Sequence, residues 1–244
     1  MKAIGVRDNV RCISMIDLFG QRVMIISPHS DDEWFSSGGT LYRLVERGCA
    51  VFPVLIIAGD VYLNHAPGNM IKGKTRWEEF KKVSEQYGGK PLGPFIESND
   101  GSLHTRPMDS LVGFLDRLIR EVKPDTFLFP EPSFHQDHVT VHDACLAALR
   151  PSSRSSIRCA MRYEEPGSQV GFAGRSNFHP NVYVDVSDFA EAKIEVYKTH
   201  YCTQYSKFDR GVYSEEGLLN WMRYRGNEAN VEYAECFELV KVRL

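Results

Sequence analysis

Apolar segments typical of buried strands alternate with amphipathic segments typical of helices along residues 1–155 of this 244-residue chain. Continuous apolar runs predict strands at residues 22–28, 49–59, 94–98 and 125–132. Apolar positions with a period near 3.6 predict helices at residues 37–47, 75–89, 108–123 and 138–149. This alternation predicts an α/β fold with a Rossmann-like, mostly parallel sheet and helices on both faces. Ligands of such sheets bind at the carboxyl ends of the strands, so we expect the active site there.

The pattern becomes richer in strands after residue 155. Strands are predicted at residues 159–165, 181–187 and 233–242, and a helix at residues 188–200. The sequence contains no internal repeat, no low-complexity tract and no long polar linker. We therefore predict one domain over residues 1–244, with a parallel α/β core at 1–155 and a mixed C-terminal part at 156–244.

The composition argues against several classes of protein. A net charge of −3 without a basic stripe argues against a nucleic-acid partner, because phosphate binding depends on clustered lysine and arginine. No apolar run reaches the roughly 18–20 residues that a membrane-spanning helix needs. Charged residues are scattered through the N-terminal segment, which therefore lacks the continuous apolar core of a secretion signal. The six cysteines are dispersed without a CxxC pair, which favours buried free thiols over a disulfide framework and predicts a cytoplasmic location.

Two polar clusters follow two of the predicted strands at the point where each strand ends. The first cluster contains His29, Asp31, Asp32 and Glu33, and the second contains His135, Asp137, His138 and His142. Because the carboxyl ends of parallel strands meet at one edge of a sheet, we expect the two clusters to converge. Crowded carboxylates repel one another, and a divalent cation removes that repulsion. The sequence therefore predicts a metal site.

The ligand types indicate which metal suits this site. Imidazole and carboxylate groups favour Zn²⁺, and a catalytic zinc site combines three protein ligands with one water. His29 and Asp32 are three residues apart, so one tight turn can direct both inward, while Asp31 is directed differently and can serve as a base. A simpler interpretation exists for each cluster alone: an aspartate-rich helix N-cap, or a polar loop with one capping aspartate. Finding both clusters at strand ends favours the metal site.

The other histidines carry weaker signals. His142 lies one helical turn after His138, where it supports the site or is simply solvated. His65 and His104 follow predicted strands and are candidates for the border of the site. His179 and His200 are predicted to be ordinary loop residues.

The two clusters also resemble a known family. PHSDDEWFSSGG resembles the PHPDDE-x-x-x-x-GG signature of the zinc-dependent GlcNAc de-N-acetylases, the PIG-L or LmbE-like family, and HQDH resembles the HxDH motif of that family. TRWEE is similar to the family's R-x-x-E, NDGSL to its D-G-x-L, and YAECFE to its C-terminal tail. One departure is Ser30, where the family usually has a proline that pre-sets the turn between two ligands.

The resemblance implies a role for each matching residue. It implies three zinc ligands: His29, Asp32 and His138. It implies that Asp31 is the general base, that His135 polarises the amide oxygen and that Asp137 orients a neighbouring imidazole. It also implies that Arg76 and Asp100 contact the sugar, and we assign supporting hydrogen bonds to Glu33.

These residues lead to an expected function, with alternatives. We expect a zinc-dependent amidohydrolase that removes an N-acetyl or other N-acyl group from a small-molecule amino sugar or its conjugate. A zinc-dependent hydratase or another zinc hydrolase is the alternative, and a non-catalytic sugar-binding module is disfavoured because Asp31 and His135 are both retained. Loops 61–75 and 165–181 are where we expect specificity to arise. The aromatic residues of the C-terminal part are more typical of core packing than of sugar stacking: Tyr163, Phe172, Phe178, Tyr201 and Tyr205.

Overall fold

The computed structural model describes residues 18–62, 70–153, 155–169, 178–201 and 210–243. The strands within this part are β1 (Arg22–Ser27), β2 (Ala50–Leu55), β3 (Val61–Tyr62), β4 (Met70–Ile71), β5 (Thr126–Pro130), β6 (Cys159–Tyr163), β7 (Val182–Asp185) and β8 (Ala234–Val242). The α-helices are α1 (Asp32–Glu46), α2 (Gly73–Gln86), α3 (Met108–Val122), α4 (Gln136–Ala148), α5 (Pro166–Gln169), α6 (Ala190–Val196) and α7 (Glu215–Ala229). A π-helical turn, Tyr197–Tyr201, continues α6.

Six strands form the central sheet in the order β2-β1-β5-β6-β8-β7. The first four of these run parallel, and β8 is antiparallel to both β6 and β7. Strands β3 and β4 form a separate small hairpin. The predicted mostly parallel sheet is therefore confirmed. The chain proceeds from β1 to β2 on one side of β1 and continues with β5 on the other side. The strand order therefore reverses between β1 and β5, and folds of this kind bind their ligands at such a point.

Helices cover both faces of the sheet because the inner strands are apolar on both sides. Val23 and Ile25 of β1 belong to one buried cluster, which contains residues of α1, α6 and α7. Met24 and Ile26, which alternate with them, belong to a second buried cluster with residues of α3 and α4. Successive side chains of a strand point to opposite faces, so a continuous apolar run is what a sheet buried on both faces requires.

Two of the predicted elements differ in the structure. Residues 94–98 do not form a strand, and only single bridges join Leu92 to Val54 and Ile96 to Ile57. Pro91 and Pro94 lack the backbone N–H that a regular ladder uses, which is why the pairing stays isolated. Helix α1 begins at Asp32, five residues before the predicted start, so Asp32 lies in the first helical turn.

The glycine pair of α1 has a packing role. A Cβ atom placed on Gly39 would lie 2.8 Å from Cβ of Val186, so a side chain there would separate α1 from the segment after β7. The buried carboxylate of Glu235 in β8 accepts hydrogen bonds from the backbone N–H groups of Gly39 and Thr40, at 2.9 and 2.7 Å. Lys193 of α6 pairs with the same carboxylate at 2.7 Å. These contacts fix α1, which carries part of the first polar cluster, against the C-terminal part.

Among the described residues, no helix is both long and apolar enough to cross a membrane. Four cysteines are free and buried, as the sequence predicted: Cys49, Cys145, Cys159 and Cys236. Cys12 and Cys202 lie outside the described residues, as do Phe172 and Tyr205. Tyr163, Phe178 and Tyr201 are buried, in agreement with a packing role.

Candidate active site

The two polar clusters converge at the carboxyl ends of β1 and β5, as predicted. His29 lies two residues after the end of β1, and His138 lies in the first turn of α4, which follows β5. Because β1 and β5 are adjacent parallel strands, these ends lie side by side. A cavity of about 220 Å³ opens there, and its walls include His29, Asp31, Asp32, His135 and His138.

Three side chains form a compact set of metal-ligand atoms. Oδ2 of Asp32 lies 3.3 Å from Nδ1 of His29 and 3.3 Å from Nε2 of His138. The two ring nitrogens are themselves 3.3 Å apart. Ligand bonds of about 2.0–2.2 Å in a tetrahedron imply ligand-to-ligand distances of about 3.3–3.6 Å. The three atoms thus have the spacing of one triangular face of a tetrahedral site, and these residues fit a divalent metal.

Asp137 fixes the orientation of one of these imidazoles. Its Oδ2 lies 3.2 Å from Nε2 of His29, so that nitrogen carries the proton and Nδ1 is available to a metal. The carboxylate is fully buried and also accepts hydrogen bonds from the backbone N–H groups of Gly101 (2.5 Å) and Leu103 (3.1 Å). Burial raises the pKa of Asp137, but the hydrogen bonds from His29 and Gly101 outweigh it and lower the pKa overall. The imidazole that the sequence expected Asp137 to orient is His29.

The carboxylates of the site stabilise positive charge on the imidazoles. Burial alone would lower the pKa of His29, but the charge of Asp32 and the hydrogen bond to Asp137 raise it to about 10. The pKa of His138 is also raised, because Asp32 outweighs burial. Burial would raise the pKa of Asp32, but His138 and His29 hold it well below its usual range. A divalent cation satisfies the same electrostatic demand without these protons.

We expect the free energy of unfolding of chelated protein to fall as the pH rises from about 6.5 to 10. The folded-state pKa of His29, about 10, exceeds its reference value of 6.5, so its stabilising contribution is complete below pH 6.5 and is lost towards pH 10. Urea unfolding at pH 6, 8 and 10 with a chelator should show a decrease of about 2 kcal/mol or more. The variant His29→Asn should lack most of this decrease. A rise in stability of the chelated wild type over this range would contradict the assignment.

His135 presents a hydrogen-bond donor to the cavity. Its Nδ1 accepts a hydrogen bond from the backbone N–H of Asp137 at 3.2 Å, so the neutral ring carries its proton on Nε2. Burial and the charges of His29 and His138 lower the pKa of His135 to about 4, which keeps the ring neutral at pH 7. Ring nitrogens of His29, His135 and His138 all lie within 4.8 Å of one another. A neutral imidazole with an N–H beside the metal-ligand atoms is suited to polarising a carbonyl oxygen.

Asp31 lines the cavity but is not one of the three atoms of the ligand triangle. It occupies the N-cap position of α1, yet its side chain makes no capping hydrogen bond. The simpler interpretation of the first cluster as a helix cap is therefore not supported. Ser30 is buried, its carbonyl accepts a hydrogen bond from the Tyr201 hydroxyl at 2.8 Å, and its own hydroxyl has no partner among the described residues.

Arg76 and Asp100 form an ion pair in the wall of the same cavity. Nη1 of Arg76 lies 2.6 Å from Oδ1 of Asp100 and 3.1 Å from the carbonyl oxygen of Gly59. Arg76 comes from α2, and its side chain is buried. The structure thus brings together the two residues that the resemblance assigned to sugar contacts, beside the ligand triangle.

Glu33 supports the turn that carries His29. Burial raises the pKa of Glu33 well above its usual range, although the hydrogen bond from Ser27 opposes this effect. The Ser27 hydroxyl donates to the His29 carbonyl oxygen at 2.7 Å and also lies within hydrogen-bond distance of the Glu33 carboxyl. This arrangement matches the supporting hydrogen bonds that were expected of Glu33.

The other histidines that the structure describes do not line the cavity. His142 is buried rather than solvated, and its Nδ1 lies 2.9 Å from the carbonyl oxygen of Pro130. His104 and His179 are exposed and do not line the cavity, and His200 contacts Gln86 at 3.0 Å. His65 lies outside the described residues.

Four further residues of the cavity wall were not singled out from the sequence: Val61, Phe134, Glu165 and Tyr213. Val61 and Glu165 are the first residues of loops 61–75 and 165–181, where specificity was expected to arise. Glu165 comes at the carboxyl end of the predicted strand 159–165, so the rule that found the two clusters pointed to it as well. Phe134 is about half exposed at 52% and stands directly before His135. No sequence pattern indicated Tyr213, because it reaches the cavity from a segment distant in sequence.

The geometry and the two motifs agree with one family. The family model for GlcNAc-PI de-N-acetylase, PIG-L, matches residues 24–149, just over half of the chain. The chain belongs to the PIG-L family. The predicted resemblance is therefore confirmed, and the matched residues span β1 to α4, which include both polar clusters.

Relatives of this PIG-L protein include enzymes of known activity. The diacetylchitobiose deacetylase of Thermococcus kodakarensis is 26% identical over 233 residues, covering 90% of this chain and 83% of the relative. The structure of N,N'-diacetylchitobiose deacetylase from Pyrococcus horikoshii matches with a TM-score of 0.69 at 21% identity, covering 91% of this chain and 84% of that chain. The 4-carboxy-2-hydroxymuconate hydratase of Pseudomonas putida KT2440 matches with a TM-score of 0.64 at 18% identity, covering 92% and 98%. The predicted enzyme of the deacetylase class is confirmed, and the fold itself also occurs in a hydratase.

Proposed function

We propose that this PIG-L protein is a zinc-dependent hydrolase that removes an N-acetyl group from an amino sugar or an amino-sugar conjugate. The observation that carries the proposal is the triangle of His29, Asp32 and His138, with 3.3 Å edges, beside Asp31 and His135 in one cavity. Two imidazole nitrogens and one carboxylate oxygen are a donor set that suits zinc. The four buried free thiols suit a reducing compartment and support a cytoplasmic location.

The residues around the triangle divide the chemistry between them. A zinc ion held by His29, Asp32 and His138 would polarise the amide carbonyl and lower the pKa of the attacking water. Asp31 takes a proton from that water and returns it to the leaving amine. General acid–base catalysis of this kind contributes about 10²–10⁴-fold to the rate. The Nε2–H of His135 donates to the carbonyl oxygen as negative charge develops there, a contribution of about 3 kcal/mol at comparable sites.

The sugar is the part of the substrate that Arg76 and Asp100 are suited to bind. Their ion pair offers donors and acceptors at the wall of the catalytic cavity, and sugar hydroxyls need both. The exposed ring of Phe134 provides an apolar surface next to His135. The relative from Thermococcus kodakarensis is named for diacetylchitobiose, which supports an N-acetylated amino sugar as the substrate class here.

Acetate release from a panel of N-acetylated amino sugars tests this proposal. The purified protein is loaded with one equivalent of zinc and given free N-acetylglucosamine, its disaccharide and O-linked conjugates. We expect acetate and a free amine in equal amounts with at least one member, and loss of both products after chelation. Zinc restored to the chelated protein should recover the rate. Tight zinc binding without acetate release from any member would contradict the proposal, and would favour the hydratase alternative that shares this fold.

A further inference from the structure

A second acidic group, Glu165, lies in the cavity wall outside the predicted catalytic set. It follows β6 by two residues, and its side chain is buried with only 8% of its surface exposed. Burial raises the pKa of Glu165, although the nearby charge of His138 opposes this effect, and the residue lines the same cavity as the ligand triangle. A buried carboxylate at this position needs a structural or a functional reason.

The carboxylate of Glu165 is held in place from one side. Its Oε1 accepts hydrogen bonds from the Tyr213 hydroxyl and from the backbone N–H of Gly167, the latter at 3.0 Å. The Ser168 hydroxyl donates to the backbone carbonyl oxygen of Glu165 at 3.0 Å. A carboxylate accepts about four hydrogen bonds, and the donors from Tyr213 and Gly167 are both directed at Oε1, so the carboxylate retains capacity for a donor on the cavity side.

The residues around Glu165 and Tyr213 hold both side chains in place. A Cβ atom on Gly167 would lie 2.1 Å from the Tyr213 hydroxyl oxygen, so only glycine leaves room for the contact. The backbone N–H of Glu165 donates to Glu131 at 2.9 Å. The Tyr213 carbonyl accepts a hydrogen bond from the Tyr197 hydroxyl at 2.8 Å. Both partners are therefore fixed before any substrate binds, which lowers the entropy cost of recognition.

The strand order places this pair on the side of the metal-ligand triangle away from Arg76. Arg76 binds the carbonyl of Gly59, which follows β2, whereas Glu165 follows β6. In the sheet order β2-β1-β5-β6, the triangle lies at the ends of the two strands between them. A sugar ring beside the triangle therefore has polar side chains on both flanks.

We infer that Glu165, held by Tyr213, accepts a hydrogen bond from one ring hydroxyl of the amino sugar and so selects the substrate. This inference rests on the proposed function, because it requires a sugar in the cavity. Arg76 and Asp100 bind a different hydroxyl on the other flank. Glu165 is thus a substrate-binding residue, and Tyr213 is a positioning residue that acts through it.

Deoxy sugars identify the hydroxyl and test the pairing. The best N-acetylated sugar of the panel and its 3-, 4- and 6-deoxy analogues are assayed with the wild type, Glu165→Gln and Tyr213→Phe. In Glu165→Gln the amide oxygen faces Tyr213 and Gly167, which turns an NH₂ donor towards the cavity. We expect wild-type kcat/KM to fall about tenfold or more for the analogue that lacks this hydroxyl, since a buried acceptor loses its donor.

The pattern across the analogues distinguishes recognition from a structural role. In Glu165→Gln, KM for the parent sugar should rise about tenfold. The loss of kcat/KM for that one deoxy analogue, relative to the parent sugar, should shrink to about twofold or less. The losses of kcat/KM for the other deoxy analogues should stay as in the wild type. Tyr213→Phe should show a smaller rise in KM and a smaller reduction of the loss for the same analogue. Exposed Glu97 provides the matched control, and Glu97→Gln should behave as the wild type. Equal losses on the parent and all analogues, or no hydroxyl whose removal costs the wild type activity but not Glu165→Gln, would overturn the inference.

A binding measurement separates this inference from the proposed function. The same sugars are titrated calorimetrically into zinc-loaded wild type and Glu165→Gln. If no sugar releases acetate, but one deoxy analogue binds more weakly than its parent only when Glu165 is present, the inference stands and the deacetylase proposal fails. If acetate is released and neither binding nor turnover depends on Glu165 in this way, the inference fails and the deacetylase proposal stands. A zinc-loaded protein that binds none of the sugars contradicts both.

Discussion

Asp31→Ala should retain zinc and lose about 10³-fold in kcat. Asp31 lines the cavity but contributes no atom to the 3.3 Å triangle, so its removal leaves all three metal ligands in place. What it removes is the group that accepts the proton of the attacking water, and such groups contribute about 10²–10⁴-fold. Zinc content by mass spectrometry and kcat from acetate release, measured on the same preparation, check both parts of this expectation.

A matched aspartate controls for effects on helix stability. Asp109 lies in the first turn of α3, much as Asp31 lies at the start of α1, but it is exposed and lies outside the cavity wall. Asp109→Ala should cost no more than about 1 kcal/mol of stability and leave kcat unchanged. If Asp31→Ala keeps its zinc and turns over within about threefold of the wild type, Asp31 is not the base.

His138→Ala should lose the metal and, with it, all measurable turnover. The substitution reduces the triangle to two protein atoms. Loss of a residue that only supports a metal ligand typically lowers metal affinity by up to roughly a hundredfold, and we expect a larger fall in zinc affinity here. Competition with a chromophoric chelator measures this change. Retention of one zinc per chain at wild-type affinity would exclude His138 from the ligand set.

The next histidine of the same helix is the control for this variant. His142 lies one turn after His138 in α4, and it binds the Pro130 carbonyl instead of lining the cavity. His142→Ala should therefore keep its zinc affinity while losing about 1–3 kcal/mol of stability, because a buried carbonyl loses its partner. Loss of zinc in both variants would mean that the helix, rather than one side chain, holds the metal.

Strands β1, β2 and β5 were predictable because each lies in a continuous apolar run. Helix α7 was not predicted, since its buried face includes Arg225 and Gly226, which weaken the apolar pattern. Arg225 is accommodated in the interior because the buried Glu164 pairs with it at 2.5 Å. Glu164 lies 61 residues away in the sequence, so no local pattern predicts this pairing. Segment 94–98 was predicted as a strand from its apolar residues, while the prolines beside it prevented a regular ladder.

The sequence by itself determined the kinds of group in the site and the turn that joins two of them. His29 and Asp32 are three residues apart, and the backbone N–H of His29 donates to Asp32 Oδ2 at 2.7 Å, so short-range geometry sets their relation. The sequence also showed the family through its two motifs and the parallel sheet through its alternating pattern.

Only the tertiary structure decided how the separate parts meet. His138 lies 109 residues from His29 along the chain, and the pairing of β1 with β5 is what brings their ring nitrogens to 3.3 Å. The same holds for Glu165 and Tyr213, which no motif connects and which meet only through the packing of the C-terminal part around β6. Local patterns specify the conformation of nearby residues, whereas contacts between distant residues depend on strand order and helix packing, which emerge when the whole core is buried.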